Sequence, residues 1–232
     1  MPSSRQARIA GWLFLLLIVL APIRLIYLPS ILFTGEPSTT VENLRLHEQA
    51  VRAGVVADLA CGALMVFIVL SLRRLFAADN DTGRGLLMLG GALPAAVYTF
   101  NVGNDIAALT FAQGPAFLQA FDAAQREALA LLFLRLHGQM VIAAEIWWGL
   151  WLLPLAMLVR RSGHVPGWIG TWLFVNGLAY VAQSAVGLLW PGHAADTLSS
   201  VCTPLQFGEV VFALWLVIVG VRRSPRSMES IA

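Results

Sequence analysis

A chain of 232 residues that is 58% hydrophobic and only 12% charged, with mean hydropathy +0.75, is too apolar for a soluble domain, where about 25% of residues carry charge. A net charge of +2, with no lysine among its 15 basic residues, excludes the strongly basic surface of a nucleic-acid binder. Two cysteines, Cys61 and Cys202, make no disulfide framework and are expected as free thiols, so the class that remains is a multi-pass membrane protein.

Six apolar segments approach the ~20 residues needed to cross a ~30 Å hydrocarbon core. They lie at about 10–28, 53–72, 86–110, 139–159, 168–190 and 203–221, and predict an all-α fold with one six-span domain over 1–232. No A-x-A cleavage site follows the first run, which therefore reads as a retained span. Between the first two spans, Thr39 to Glu42 has capping-box spacing and starts a helix at about Thr40. Continued to Leu72, that helix would be about 50 Å long, so it protrudes from the bilayer or bends, with Gly54 the expected hinge. Further on, Gln113-Gly114-Pro115 ends a helix and Asp122 can cap the next. The segment 117–134 is amphipathic and predicts a helix lying on the outer interface before the fourth span dives.

Arginine placement predicts the orientation, because short cytoplasmic loops accumulate positive charge. Arg5 and Arg8, then Arg73, Arg74 and Arg84, then Arg160 and Arg161, then Arg222, Arg223 and Arg226 fall on one side. Both termini are therefore expected in the cytoplasm. The segments Leu44-Arg45-Leu46-His47-Glu48-Gln49 and Leu134-Arg135-Leu136-His137-Gly138-Gln139 match at five of six positions, which would fit a hairpin repeat. Positive-inside selection together with chance accounts for the paired arginines equally well.

The stretch Leu131 to Pro154 is apolar at spanning length yet carries Arg135, His137, Gln139 and Glu145. An ionisable group in hydrocarbon costs at least ~2.5–3.5 kcal/mol and so faces protein, a partner or a wet cavity. Arg24, Asp58, Asn101, Asn104, Asp105, Gln183, Gln206 and Glu209 join it in the halves of their spans expected to face outward. This depth pattern predicts an outward-facing polar pocket lined by His47, Glu48, Arg52, Asp58, Asp105, His137, Gln139, Glu145 and Glu209, with His137 and Asp58 at its core. By helical phase His47 and Asp58 share a face, and Glu48 and Arg52 can pair one turn apart.

Binding of a small molecule, lipid or ion is the favoured reading, with the bilayer as the certain partner and no nucleic acid. A membrane-embedded metal-dependent hydrolase is one alternative: His47, His137 and Asp58 are ligand types for a divalent ion, although no H-x-x-x-H, H-E-x-x-H or C-x-x-C spacing is present. The other is a structural or accessory subunit whose polar groups only hold helices together. Transport is mildly disfavoured, because the inner halves hold no ionisable relay. The clustered tryptophans, Trp147, Trp148 and Trp151 among them, read as packing.

The blocks Arg8-Ile-Ala-Gly11, His47-Glu48 with Gly54-Val-Val-Ala-Asp58, Leu131 to Leu134 with Leu136-His-Gly-Gln139, and Trp148 to Pro154 resemble a bacterial membrane-protein family, domain of unknown function 4386. The resemblance implies a six-span protein of the bacterial inner membrane without an assigned activity. It places His47, Glu48, Asp58, His137 and Gln139 on the shared pattern, from which Arg135 and Glu145 depart. Nothing in the chain names a cofactor, a reaction or an oligomeric state.

Overall fold

The computed structural model describes residues 4–34, 36–76 and 81–221, so Arg222, Arg223 and Arg226 lie outside the described residues. All regular structure among the described residues is helical. Six stretches are long and apolar enough to span a bilayer, which makes this a multi-pass membrane protein. The helices are α1 (Ser4–Leu32), α2 (Pro37–Leu46), α3 (Glu48–Leu75), α4 (Asp81–Gln113), α5 (Ala123–Ser162), α6 (Gly167–Leu189), α7 (His193–Cys202) and α8 (Phe207–Ile218). A 3₁₀ turn, Thr203–Gln206, joins α7 and α8 into a single apolar run.

Five of the six spans are longer than their apolar stretches suggested, and the fifth, Gly167–Leu189, matches its expected length at 23 residues. Three local expectations change. The long second helix breaks at His47 (φ −103°, ψ 25°), not at Gly54, dividing it into α2 and α3. The segment 117–134 is no separate interfacial helix: after the 3₁₀ turn Ala116–Leu118, α5 runs unbroken for 40 residues, about 60 Å. His47, exposed at the helix break, does not share a face with the buried Asp58.

A fourth expectation changes as well, since α2 starts at Pro37 behind Glu36 and not at Thr40, whereas the turn chemistry between α4 and α5 follows the sequence. Gly114, at φ +62°, ends α4 where a side chain would be strained. Asp122 and Gln125 cap α5 reciprocally, Gln125 N donating to Asp122 Oδ1 at 2.8 Å and Asp122 N to Gln125 Oε1 at 3.0 Å. The two similar hexapeptides adopt different backbones, one across the α2–α3 break and the other in the interior of α5.

The contacts divide the chain into two compact units. Among the described residues, the first draws on 4–17, 64–76, 81–95 and 142–221. Its centre is aromatic: Phe14 packs on Trp151 and Phe212 at ring separations of 5.8 and 6.3 Å, and all three are fully buried. Trp151 is therefore packing, as expected. Cys202, a free thiol, is buried in this unit.

The second unit comprises residues 18–63 and 96–141. Leu28, Leu32, Val41, Leu44, Val51, Leu109 and Leu134 form its apolar core, with Phe111 stacked on Phe133 at 5.7 Å beside it. The free thiol Cys61 is buried here too. Helix α2 is tied down by Arg45, whose Nε donates to Ala112 O at 2.8 Å, and by Asn43, which donates to Leu32 O and Thr34 Oγ1.

Gly54 has a packing role in this unit. Leu28 Cδ1 occupies the place that a Cβ there would take, and Arg24 Cδ lies 3.6 Å from it, so an added methyl would have to push the end of Leu28 aside. Gly103, by contrast, has nothing within 4 Å of its missing Cβ. Gly54→Ala should therefore cost about 1–3 kcal/mol of stability by overpacking. Gly103→Ala should be neutral or stabilise by up to ~1 kcal/mol through helix propensity. Unfolding in mixed micelles checks both, and equal effects would remove the close contact as the cause.

Candidate functional site

Pro22 has no N–H to give and interrupts the ladder of α1, and the next five residues, Ile23–Tyr27, form a π turn closed by Leu28 N–H on Ile23 O. Such turns recur at functional positions, and here the turn carries Arg24. Arg24 is buried, 7% exposed, in a span where an unpaired guanidinium would be expensive. It is paired twice. Nε donates to Asp58 Oδ2 of α3 at 3.2 Å, and Nη2 donates to Asp105 Oδ1 of α4.

A fourth helix completes the cluster. His137 of α5 places Nδ1 3.0 Å from Asp105 Oδ2. That distance is within ion-pair reach, but neither atom has an aligned hydrogen-bond partner, and both are shut off from solvent. We read the pair as an electrostatic contact with unused capacity on both atoms. One turn before Asp105, Asn101 donates from Nδ2 to His137 O at 3.2 Å and accepts from Asn104 Nδ2 at 2.9 Å. Two consecutive turns of α4 thus hold the same residue of α5, one by its ring and one by its carbonyl.

Asp58, Asp105 and His137 present ligand-type atoms that all lie within 4.8 Å of one another. The acid beside the imidazole is Asp105, whereas the sequence reading pairs His137 with Asp58 at the core of the pocket. Arg24 and Asn101 belong to the depth pattern read from sequence but not to the nine pocket candidates. The signal that exposes Arg24 is an arginine deep in a hydrocarbon span, which must find acids on facing helices.

Arg24 and His137 also border a hollow of about 200 Å³. Arg135 and Gly138 complete its polar and open side, while Leu25, Pro29, Leu32, Phe33, Leu134 and Val141 supply apolar wall. No side chain closes over Gly138: a Cβ built there would meet nothing within 4 Å.

The remaining residues expected in a pocket lie elsewhere. Glu48 and Arg52 form the i,i+4 ion pair that their spacing suggests, at 2.7 Å and largely exposed, and such pairs contribute little. His47 and Gln139 are exposed. Glu145 is half-buried and belongs to the other unit, with no hydrogen bond or ion pair among the described residues. Glu209 centres that unit's own polar cluster, accepting from Trp148 Nε1 and Asn176 Nδ2, each at 3.2 Å. Gln206 donates to Gln183, which donates to Ser199 Oγ at 3.3 Å.

The family described as Domain of unknown function (DUF4386) matches residues 9–220. A similar protein, described as an uncharacterized protein of Archaeoglobus fulgidus, is 36% identical over 75 residues. The shared stretch is 32% of this chain and 43% of that relative, so the chain spans less than half the length of the curated relative it matches. No solved structure matches the chain.

Proposed function

The chain belongs to the DUF4386 family, and from that premise we propose that it is a membrane-embedded binding protein for a small amphipathic molecule with an anionic group. The observation that carries this reading is the hollow where Arg24, Arg135 and His137 meet an apolar wall. Its volume of about 200 Å³ is below the ~300–1,000 Å³ of sites that enclose a drug-sized ligand, which favours a headgroup or a short-chain acid over a whole lipid. Arg135, the arginine of the hollow that Asp58 and Asp105 leave free, would hold the anion, and the leucines and Phe33 the apolar part.

Gly138→Leu adds a side chain at the border of the hollow, where the new Cβ meets nothing within 4 Å, so it should narrow the hollow without disturbing the backbone. Native mass spectrometry of gently purified wild-type protein should show a retained lipid or small acid, which Gly138→Leu and Arg135→Gln lose. An empty wild-type protein that gains no thermal stability from anionic lipids or short-chain acids would refute the reading.

A structural role is the second reading, favoured by the ion pairs through which Arg24 joins α1, α3 and α4. There the cluster acts as interhelical fastening, and nothing is retained.

The orientation proposed with this reading has both termini in the cytoplasm and the hollow on the exterior side, supported by the arginine distribution. Single cysteines at Asp196, expected outside, and at Gly167, expected inside, report it. In intact cells an impermeant thiol reagent should label Asp196→Cys and spare Gly167→Cys, and the reverse pattern would invert the topology.

A further inference from the structure

We propose that Asp58, Asp105 and His137 form a binding site for one divalent metal ion of the first transition row, with Arg24 as the donor that orients its carboxylate ligands. This does not depend on what the hollow binds. Two carboxylates and an imidazole are the ligand set of many zinc, manganese and iron sites. Here they come from α3, α4 and α5, with ligand atoms all within 4.8 Å of one another. Ligands bound ~2.0–2.2 Å from a tetrahedral ion stand about 3.4 Å apart, so side-chain rotation would have to close the widest pair by up to about 1.4 Å. The 3.0 Å between His137 Nδ1 and Asp105 Oδ2 is a spacing expected of neighbouring ligands on one ion.

The second observation concerns those two atoms themselves. Both are buried, in residues 7% and 0% exposed, and neither has a hydrogen-bond partner. Buried polar atoms are nearly always satisfied, and an imidazole nitrogen and a carboxylate oxygen left open side by side suit an ion that takes a lone pair from each. Arg24 does not compete for them: it binds Oδ1 of Asp105 and Oδ2 of Asp58 and leaves Oδ2 of Asp105 open. Carboxylates that ligate metals are themselves held by hydrogen bonds from outside the coordination sphere, which is the place Arg24 takes. The bond from Asn101 to the His137 carbonyl fixes the helix that carries the ring.

Charge points the same way. Two aspartates against Arg24 leave one negative charge in excess, and a neutral His137 does nothing to offset it. A dication reverses the excess to one positive charge, which a hydroxide or an anionic ligand would neutralise. Three protein ligands and an open position define a site that works on a ligand, as opposed to a closed structural one. His137 also borders the hollow, from which such a ligand could reach the ion.

The rival occupant of the excess charge is a proton on His137, and metal binding separates the two. Full-length protein, purified in detergent and stripped with a chelator, is titrated with zinc chloride by isothermal calorimetry, and metal content after dialysis is measured by elemental analysis. One zinc per chain is expected, with a rise in thermal stability. His137→Gln leaves the Arg24 ion pairs in place, so it should fold and lose zinc affinity at least ~100-fold, while Arg24→Gln should weaken it by about 10–100-fold without abolishing it. Glu209→Gln should bind as the wild type does. A wild-type protein that takes up no stoichiometric zinc, manganese or iron, or a His137→Gln variant that binds zinc unchanged, overturns the proposal. So does an NMR signature of a doubly protonated His137 that persists in saturating zinc.

Discussion

A guanidinium in the hydrocarbon region is tolerable only when its charge is met at close range, and the second unit of this protein is arranged around meeting that of Arg24. Asp58 and Asp105 approach it from two different helices, and each is as buried as the arginine. Removing one partner of such an arrangement leaves an uncompensated buried charge, at a cost of about 3–5 kcal/mol. Helix packing in lipid gains little from the hydrophobic effect, so an interaction of this size fixes which helices are neighbours and in what register.

Several local features serve that pairing. The π turn after Pro22 gives α1 an irregular stretch where Arg24 sits. Gly54, one turn before Asp58, allows α1 close enough for Leu28 and the stem of Arg24 to lie against α3. On the far side of Asp105, the grip of α4 on His137 brings in α5. Each feature is modest alone. Together they place four chemically versatile side chains within a few ångströms, beside a hollow whose walls are otherwise apolar. Within this ion-paired cluster, Asp105 Oδ2 and His137 Nδ1 are left without a hydrogen-bond partner, and it is on that surplus that the proposed coordination rests.

Much of this was legible in the residues. Hydropathy located all six spans, Gly114 and Asp122 marked the turn between α4 and α5, and the penalty on buried charge put Asp58, Asp105 and His137 among nine pocket candidates. What escaped was set by local geometry that composition does not encode. The π turn alters helical phase around Arg24 by an amount no strict 3.6-residue repeat anticipates. The helix breaks at His47, and Gly54 serves close approach instead of flexibility. His47 and His137 share a sequence context yet differ in burial, since one ends a helix and the other lies inside one. Depth along a span, read as one shared pocket, also grouped Glu145 and Glu209 with residues whose hydrogen bonds belong to a different unit.

The central claim is that Arg24 and its acids act as one energetic unit, and a double-mutant cycle measures that directly. Stabilities of the wild type, Arg24→Met, Asp105→Asn and the double variant are compared by reversible unfolding in mixed micelles. Arg24→Met alone strands two buried carboxylates and should be the worst of the three, whereas the double variant should lose less than the sum of the singles by about 1–3 kcal/mol. Strictly additive losses, with Arg24→Met no worse than Asp105→Asn, would mean that the buried ion pairs do not organise the helices, and the account built on them would fail.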